Sequence, residues 1–184
     1  ASVPAAVIGL PLDDWLDEHL YNAPVVAAML ILYGVLFLVV DNGHRPSVTH
    51  MDQLTWKHAL VVGIWQVLSL IPGTSRSGAT IVGGLLLGLS RPVAAQFTFY
   101  LAIPVMAGAS GLKLVKYLLA GNAFTGLEIG VMLTGMVVAF VVSLLAIGFL
   151  MRYVKKHSFR LFGWYRIALG VLVLGVFFVQ GLLA

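Results

Sequence analysis

The sequence contains no cysteine and very little charge. Its 184 residues include 11 lysines and arginines and 7 aspartates and glutamates, so that only 10% are charged, whereas 60% are hydrophobic. Without cysteine the chain forms neither disulfides nor thiolate metal sites. The mean hydropathy of +1.01 excludes an ordinary soluble domain. The basic residues are not gathered on one soluble face, so the net charge of +4 does not indicate a nucleic-acid partner.

Acidic residues are absent from the middle of the chain. No Asp or Glu lies between Asp52 and Glu128, and the five histidines all fall in predicted loops or near predicted helix ends. A hard divalent cation needs oxygen ligands, and a general base is usually a histidine or a carboxylate. We therefore predict that this chain holds no metal site of its own.

Four hydrophobic segments are long enough to cross a membrane. About 20 apolar residues span the roughly 30 Å hydrocarbon core. The four candidates are residues 23–40, 93–112, 126–152 and 162–183. Residues 1–22 are expected to form a loop with a short amphipathic stretch. The sequence thus predicts an all-α integral membrane protein in which residues 1–184 form a single membrane domain.

A fifth hydrophobic block is interrupted by polar residues. Residues 59–71 precede the interruption and residues 81–89 follow it. At about 1.5 Å per residue, neither half is long enough to cross the core alone. Irregular backbone at membrane depth is tolerated only where protein or a water-filled cavity surrounds it. The pattern predicts a re-entrant helical hairpin over residues 57–90, with a cavity at its tip.

The interruption carries one arginine and four hydroxyl groups, and it reads Pro72-Gly73-Thr74-Ser75-Arg76-Ser77-Gly78-Ala79-Thr80. An arginine near the bilayer centre costs at least ~2.5 kcal/mol, so it indicates a functional site. Ser77 is expected to cap a helix that begins near Ser77 or Gly78, and its first backbone N–H groups would face an anion. Arg76 would add bidentate charge-assisted hydrogen bonds. The segment therefore predicts a phosphate-binding site. The alternative is a simple helix break, with Arg76 extending to the membrane interface.

The interrupted block also resembles a known signature. Gly63-Ile64-Trp65-Gln66 and the following residues 69–81 are similar to the second signature of the bacterial undecaprenyl-diphosphate phosphatases, also called bacitracin-resistance phosphatases. Residues 89–91 and 97–104 resemble the segment that follows this signature. The resemblance covers the chain as the C-terminal two-thirds of a family member. The family's first signature, a glutamate-rich Glu-x-x-x-Glu motif followed by two serines and a histidine, is absent from the 184 residues.

The resemblance implies a multi-pass protein of the bacterial inner membrane, with this chain as the second half of an inverted-repeat architecture. It implies hydrolysis of undecaprenyl diphosphate to undecaprenyl phosphate and phosphate, which recycles the lipid carrier of cell-wall synthesis. Arg76 and Ser75 would be catalytic, and Gln66 would have a secondary polar role. The phosphate-binding residues would be Gly73, Thr74, Ser75, Arg76, Ser77, Gly78 and Thr80.

The resemblance also implies a divalent cation, Mg²⁺ or Ca²⁺, with ligands from the N-terminal part of the same protein. Without that part we predict no phosphatase activity. The expected partners are a long-chain prenyl diphosphate and membrane lipids, with no nucleic acid. A second function stays open, because broken helices that point their N-termini at anionic groups also occur in carriers. That alternative is a translocase of an anionic prenyl-phosphate lipid.

Overall fold

The computed structural model describes residues 1–42 and 45–183, and within these ranges the chain is almost entirely helical. Its α-helices are α1 Ser2–Leu20, α2 Ala23–Asp41, α3 Trp56–Val67, α4 Arg76–Leu86, α5 Arg91–Leu119, α6 Gly126–Lys156 and α7 Arg160–Leu183. Short 3₁₀ turns lie at Met51–Gln53 and Leu68–Leu70. The one β-type pairing in the described ranges is an isolated parallel bridge between Val48 and Leu89. The predicted all-α class is confirmed.

Four of these helices are long and apolar enough to cross a membrane. They are Ala23–Asp41, Arg91–Leu119, Gly126–Lys156 and Arg160–Gln180, which correspond to the four predicted spans. Helix α6 is exposed along most of its length, and Val154 is its one buried residue. Lipid tails are as apolar as leucine, so a membrane covers such a surface without a protein partner. The chain is a multi-pass membrane protein.

The N-terminal segment differs from the expected loop. Residues 2–20 form α1, which continues through Pro11. Gly9 lies close to Leu70, and a Cβ atom on Gly63 of α3 would collide with the backbone of Ala1. In proteins most helical stability comes from tertiary packing rather than from intrinsic helix propensity. Contact with α3 and the adjoining turn therefore accounts for a helix that the proline-containing sequence does not predict.

Helices α2 and α7 approach each other through small residues. A Cβ on Gly34 would lie 2.8 Å from the carbonyl oxygen of Gly163, and a Cβ on Gly170 would lie 2.9 Å from that of Ala27. Small residues allow such backbone contact between membrane helices. This packing holds the guanidinium of Arg166, on α7, 5.8 Å above the ring of Tyr33 on α2.

Helices α3 and α4 form a contacting pair over much of the predicted hairpin. A Cβ on Gly83 of α4 would lie 2.5 Å from Cγ of Trp65 on α3, so the indole lies directly over the α4 backbone. The segment leading into α3 is hydrogen-bonded to the turn leaving α4, because the N–H groups of Ser47 and Val48 donate to the Gly88 carbonyl at 2.8 and 3.0 Å. The connection between the two helices ends in residues 71–75, here called the tip loop.

An ion pair joins the end of α2 to the start of α5. Nε of Arg91 donates to Oδ1 of Asp41 at 2.5 Å, and Nη2 of Arg91 donates to the Asp41 carbonyl oxygen at 3.4 Å. The Asp41 side chain is fully buried. Its Oδ2 has no hydrogen-bond partner among the residues that the structure describes. The positive charge of Arg91 is therefore what mainly stabilises the buried, negatively charged carboxylate of Asp41.

We expect Arg91→Ala to lower the free energy of unfolding by about 3–5 kcal/mol, because it leaves the buried Asp41 carboxylate without its counter-charge. The double variant Arg91→Ala/Asp41→Ala should recover much of this loss. The measurement is denaturant unfolding of the purified full-length protein in detergent. Arg152→Ala is the control, since the exposed Arg152 donates, among the described residues, to the Gly148 carbonyl of its own helix. Equal losses in Arg91→Ala and Arg152→Ala would contradict the assignment.

Candidate functional site

The tip loop has a specific, strained backbone. Gly73 has φ +88°, and Ser75, at φ +65°, is the single non-glycine residue with positive φ in the described ranges. A side chain on Gly73 would collide with the carbonyl oxygen of Val26 on α2. A non-glycine residue in such a conformation costs of order 1–3 kcal/mol and persists only where its surroundings impose it. The loop is therefore held in one shape by its contact with α2.

Helix α4 begins at Arg76, and its N-cap is Ser75, whose Oγ accepts a hydrogen bond from the Gly78 N–H at 3.4 Å. The prediction that Ser77 caps this helix is wrong, because the unusual φ of Ser75 starts the helix earlier. Ser77 instead lies in the first turn, with its Oγ 3.2 Å from that of Ser75. The N–H groups of Arg76 and Ser77 make no hydrogen bond within the described part of the chain. These free donors are a potential anion site.

A cavity of about 230 Å³ lies beside this first turn. Its polar lining comes from Ser75, Ser77, Gly78, Thr98 and Arg166. The rest of its wall is apolar or aromatic and comes from Phe37, Ile81, Ala95, Phe99, Leu150, Val154, Phe159, Phe162 and Tyr165. The cavity thus combines hydrogen-bond donors and a cation with a hydrocarbon-like surface. Such a lining suits a ligand that is anionic in one part and apolar in another.

Arg166 is a site residue that sequence reasoning missed. Its Nη2 donates to the carbonyl oxygens of Gly73 and Thr74, at 2.6 and 2.8 Å. These contacts connect α7 to the tip loop across more than 90 positions of sequence. The available signal was the one that identified Arg76, an arginine within an apolar segment long enough to span the membrane.

Arg76 is the first residue of α4. It is half-buried, and it is not among the residues that line the cavity. Its Nη1 is buried and has no hydrogen-bond partner in the described ranges. The structure therefore brings Ser75, Ser77 and Gly78 together with Arg166 at the cavity wall, while the proposed role of Arg76 stays a prediction.

Thr80 and Thr98 form a buried hydroxyl pair. Thr80 Oγ1 lies 3.0 Å from the Arg76 carbonyl, to which it donates, and accepts a hydrogen bond from Thr98 Oγ1 at 2.9 Å. Thr80 is only 1% exposed and is absent from the cavity lining, whereas Thr98 lines the cavity. Thr80 is thus placed to stabilise the first turn of α4, and the hydroxyl at the wall belongs to Thr98. The pairing joins α4 to α5, which local sequence patterns do not reveal.

Two further predicted residues are buried with unpaired polar atoms. Thr74 is fully buried, and its Oγ1 has no partner among the described residues; Gln66 is 1% exposed, and both its amide atoms are likewise unpaired there. Each buried polar group left unpaired costs about 1–3 kcal/mol. Neither side chain lines the cavity. Gln66 lies on α3 and Thr74 in the tip loop, so both unpaired groups belong to the hairpin.

Comparison with known proteins decides the family. A family sequence profile described as "Bacitracin resistance protein BacA" matches residues 1–172. The chain belongs to the BacA family. It is 53% identical over 182 residues to an undecaprenyl-diphosphatase of Latilactobacillus sakei, covering 97% of this chain and 66% of the relative. For an undecaprenyl-diphosphatase of Desulfitobacterium hafniense the identity is 58% over 176 residues, covering 94% and 62%.

Membership of the BacA family confirms the resemblance drawn from the hairpin motif. It also confirms the predicted multi-pass location in the bacterial inner membrane. An undecaprenyl-diphosphatase of Enterococcus faecalis is also similar, with 53% identity over 178 residues, covering 95% of this chain and 64% of the relative. The chain spans just under two-thirds of the length of the curated relatives it matches. Among the described residues, no group of three or more His, Asp or Glu side chains could hold a metal ion.

Gly73→Ala tests whether the tip loop depends on its contact with α2. Gly121→Ala is the matched control, because Gly121 has a similar φ of +79° and a Cβ at that position would meet no atom within 4 Å. Gly121→Ala should lower the free energy of unfolding by about 1–2 kcal/mol because of backbone strain. Gly73→Ala should lower it by roughly a further 1–3 kcal/mol because of steric overlap with Val26. Denaturant unfolding in detergent measures both, and equal costs would show that the Val26 contact is unimportant.

Proposed function

We propose that the full-length protein hydrolyses undecaprenyl diphosphate to undecaprenyl phosphate and inorganic phosphate, which recycles the lipid carrier of cell-wall synthesis. The observation that carries this proposal is the cavity, where the first turn of α4 and Arg166 meet a wall of aromatic and aliphatic side chains. A prenyl diphosphate has the matching chemistry, a strongly anionic headgroup on a hydrocarbon chain. The names of the similar BacA relatives support the same substrate.

We further propose that α3 and α4 form a re-entrant pair within the second half of an inverted repeat. The hydrogen bonds from Ser47 and Val48 to Gly88 support entry and exit at the same membrane face. At the other end, Gly73 lies against Val26. Val26 is 15 residues before Asp41, the residue that pairs with Arg91, and this corresponds to about 22 Å along α2. The tip loop would then lie beyond the bilayer midplane, about one helical turn from the start of α2 at Ala23.

In this proposal the first turn of α4 binds the terminal phosphate. The free N–H groups of Arg76 and Ser77 and the positive end of the helix dipole attract the anion. Ser75 and Ser77 donate hydroxyl hydrogen bonds, and Gly78 leaves room for close approach. Gly73 and Thr74 shape the tip, and Thr80 holds the turn through its bond to Thr98.

The chemical step would transfer the terminal phosphoryl group to water. A bond forms between the water oxygen and phosphorus, the bridging P–O bond breaks, and prenyl phosphate leaves with the bridging oxygen. Negative charge on the phosphoryl and bridging oxygens is stabilised by preorganised donors, each of which contributes a few kcal/mol. We assign this role to Arg76, whose Nη1 lacks a described partner, and to Ser75.

We propose that the remaining groups come from the part of the protein outside these 184 residues. The described residues offer no cluster of metal ligands, so they do not fit a resident cation by themselves. A bound Mg²⁺ or Ca²⁺ would neutralise charge on the phosphate oxygens, with ligands from that other part. The N-terminal part would thus be a required partner, and this chain alone would supply only the diphosphate-binding half of the site.

Phosphate release in detergent tests the function directly. The full-length protein should release inorganic phosphate from a long-chain prenyl diphosphate, and this 184-residue chain alone should not. Detergent solution has no compartments, so transport cannot account for the product. Vesicle-dependent lipid movement by the full-length protein without phosphate release would instead support the translocase alternative. Turnover by the 184-residue chain alone would overturn the divided site.

Arg76→Ala should lower kcat/KM by about 10²–10³-fold while the protein remains folded, because a preorganised donor to the phosphoryl oxygens is lost. Arg76→Lys should also be strongly impaired, since lysine cannot reproduce the planar two-pronged geometry. Arg152→Ala, at an exposed position of α6, is the control and should retain wild-type activity. Normal turnover by Arg76→Ala would remove Arg76 from the mechanism.

A further inference from the structure

We infer that Arg166 is a second phosphate-binding arginine, which holds the tip loop with Nη2 and the anionic headgroup with Nη1. The inference rests on the proposed function for the identity of the ligand. It assigns a binding role to a residue outside the hairpin motif, contributed by the last membrane-spanning helix.

The three nitrogens of the Arg166 guanidinium have different surroundings, and Nε is buried without a hydrogen-bond partner among the described residues. Nη2 is engaged by the carbonyl oxygens of Gly73 and Thr74. Nη1 makes no hydrogen bond to any described residue, and it is not among the described buried atoms that lack a partner. Its two N–H groups are therefore free donors in a side chain that lines the cavity.

The position of Nη1 places these donors at the start of α4. A Cβ on Gly78 would lie 3.4 Å from Nη1, so the guanidinium lies directly over the first turn of α4. Gly78 lines the same cavity as Ser75 and Ser77. The free N–H groups of Arg76 and Ser77 belong to this turn. An anion at the start of α4 would therefore meet backbone donors from one side and Nη1 of Arg166 from another.

Charge balance favours an anionic ligand at this place. No Asp or Glu carboxylate in the described ranges lies within ion-pair distance of Arg166; the Arg–carboxylate pair found there is Arg91 with Asp41. The carbonyl oxygens and the Tyr33 ring compensate the cation only in part. An intramembrane arginine without a counter-charge is costly. A phosphate oxygen would supply that charge through a charge-assisted hydrogen bond.

The planar guanidinium of Arg166 thus fixes the position of the phosphate relative to the tip loop. The guanidinium is rigid, so a phosphate held by Nη1 has a defined position relative to the Gly73 and Thr74 carbonyls held by Nη2. The ammonium of lysine is a compact charge on a flexible stem and cannot bridge both in this way. Arg166→Lys should therefore keep the charge but lose the alignment.

Inorganic pyrophosphate is the probe, and isothermal titration calorimetry on the full-length protein in detergent is the measurement. Arg166→Gln should weaken pyrophosphate binding by about 10- to 100-fold, as expected for loss of hydrogen bonds to a charged group. It should also reduce the dependence of log Kd on log salt concentration, because one cation is removed from the site. Arg166→Lys should keep the salt dependence but bind at least about fivefold more weakly. Arg160→Gln, at the exposed first residue of α7, should match the wild type.

A purely structural role gives a different result. If Arg166 only holds the tip loop, Arg166→Gln should resemble Gly73→Ala, with a loss of stability but a wild-type salt dependence, and this outcome overturns the inference. If Arg166→Gln does not purify as monodisperse protein, Arg166→Lys decides, and wild-type affinity in that variant overturns it. Calorimetry needs no turnover. Pyrophosphate binding that depends on Arg166, without phosphate release from a prenyl diphosphate, would therefore defeat the proposed function alone. Phosphate release from a prenyl diphosphate with unchanged pyrophosphate affinity in Arg166→Gln would defeat only this inference.

Discussion

The backbone contact between α2 and α7 determines where the parts of the site lie. Glycines at 34, 163 and 170 remove the side chains that would keep these helices apart. Arg166 is carried on α7 between the last two of them, so its height relative to α2 follows from their packing. The tip loop meets the same α2 surface at Val26. One helix thus positions both the cation and the loop that the cation binds.

The hairpin shows how irregular backbone is stabilised within a membrane protein. The carbonyl groups of Gly73 and Thr74 lie in the turn between two helices, and in lipid each unpaired carbonyl would cost several kcal/mol. Arg166 supplies their donors, and Ser75 accepts from the Gly78 N–H. Within the described ranges, the N–H groups of Arg76 and Ser77 make no hydrogen bond, and polar side-chain atoms of Gln66 and Thr74 are also unpaired. Unpaired hydrogen-bonding groups therefore concentrate around the turn between α3 and α4.

Local sequence patterns predicted much of this arrangement. The four spans follow from apolar length, and the helix pair follows from the polar interruption around Pro72 and Gly73. The contributions of Arg166 and Thr98 could not be derived, because each depends on which helices pack together, over separations of 93 and 18 residues. The cap at Ser75 was also missed, since its positive φ is imposed by the tertiary contacts of the loop. Residue type indicated the chemistry, and packing decided which residues share the cavity.

The sparse packing of α6 affects which part of a ligand the cavity recognises. The anion-facing wall belongs to α4 and α7, and it is tied by hydrogen bonds to the tip loop and through Thr98 to α5. The facing α6 contributes Leu150 and Val154, while nearly all of its remaining surface is exposed. Within the described residues, the polar end of the cavity is therefore more firmly packed than the end that α6 lines. If a prenyl diphosphate binds as proposed, the site would distinguish headgroups more sharply than hydrocarbon lengths, since each methylene contributes little to selectivity.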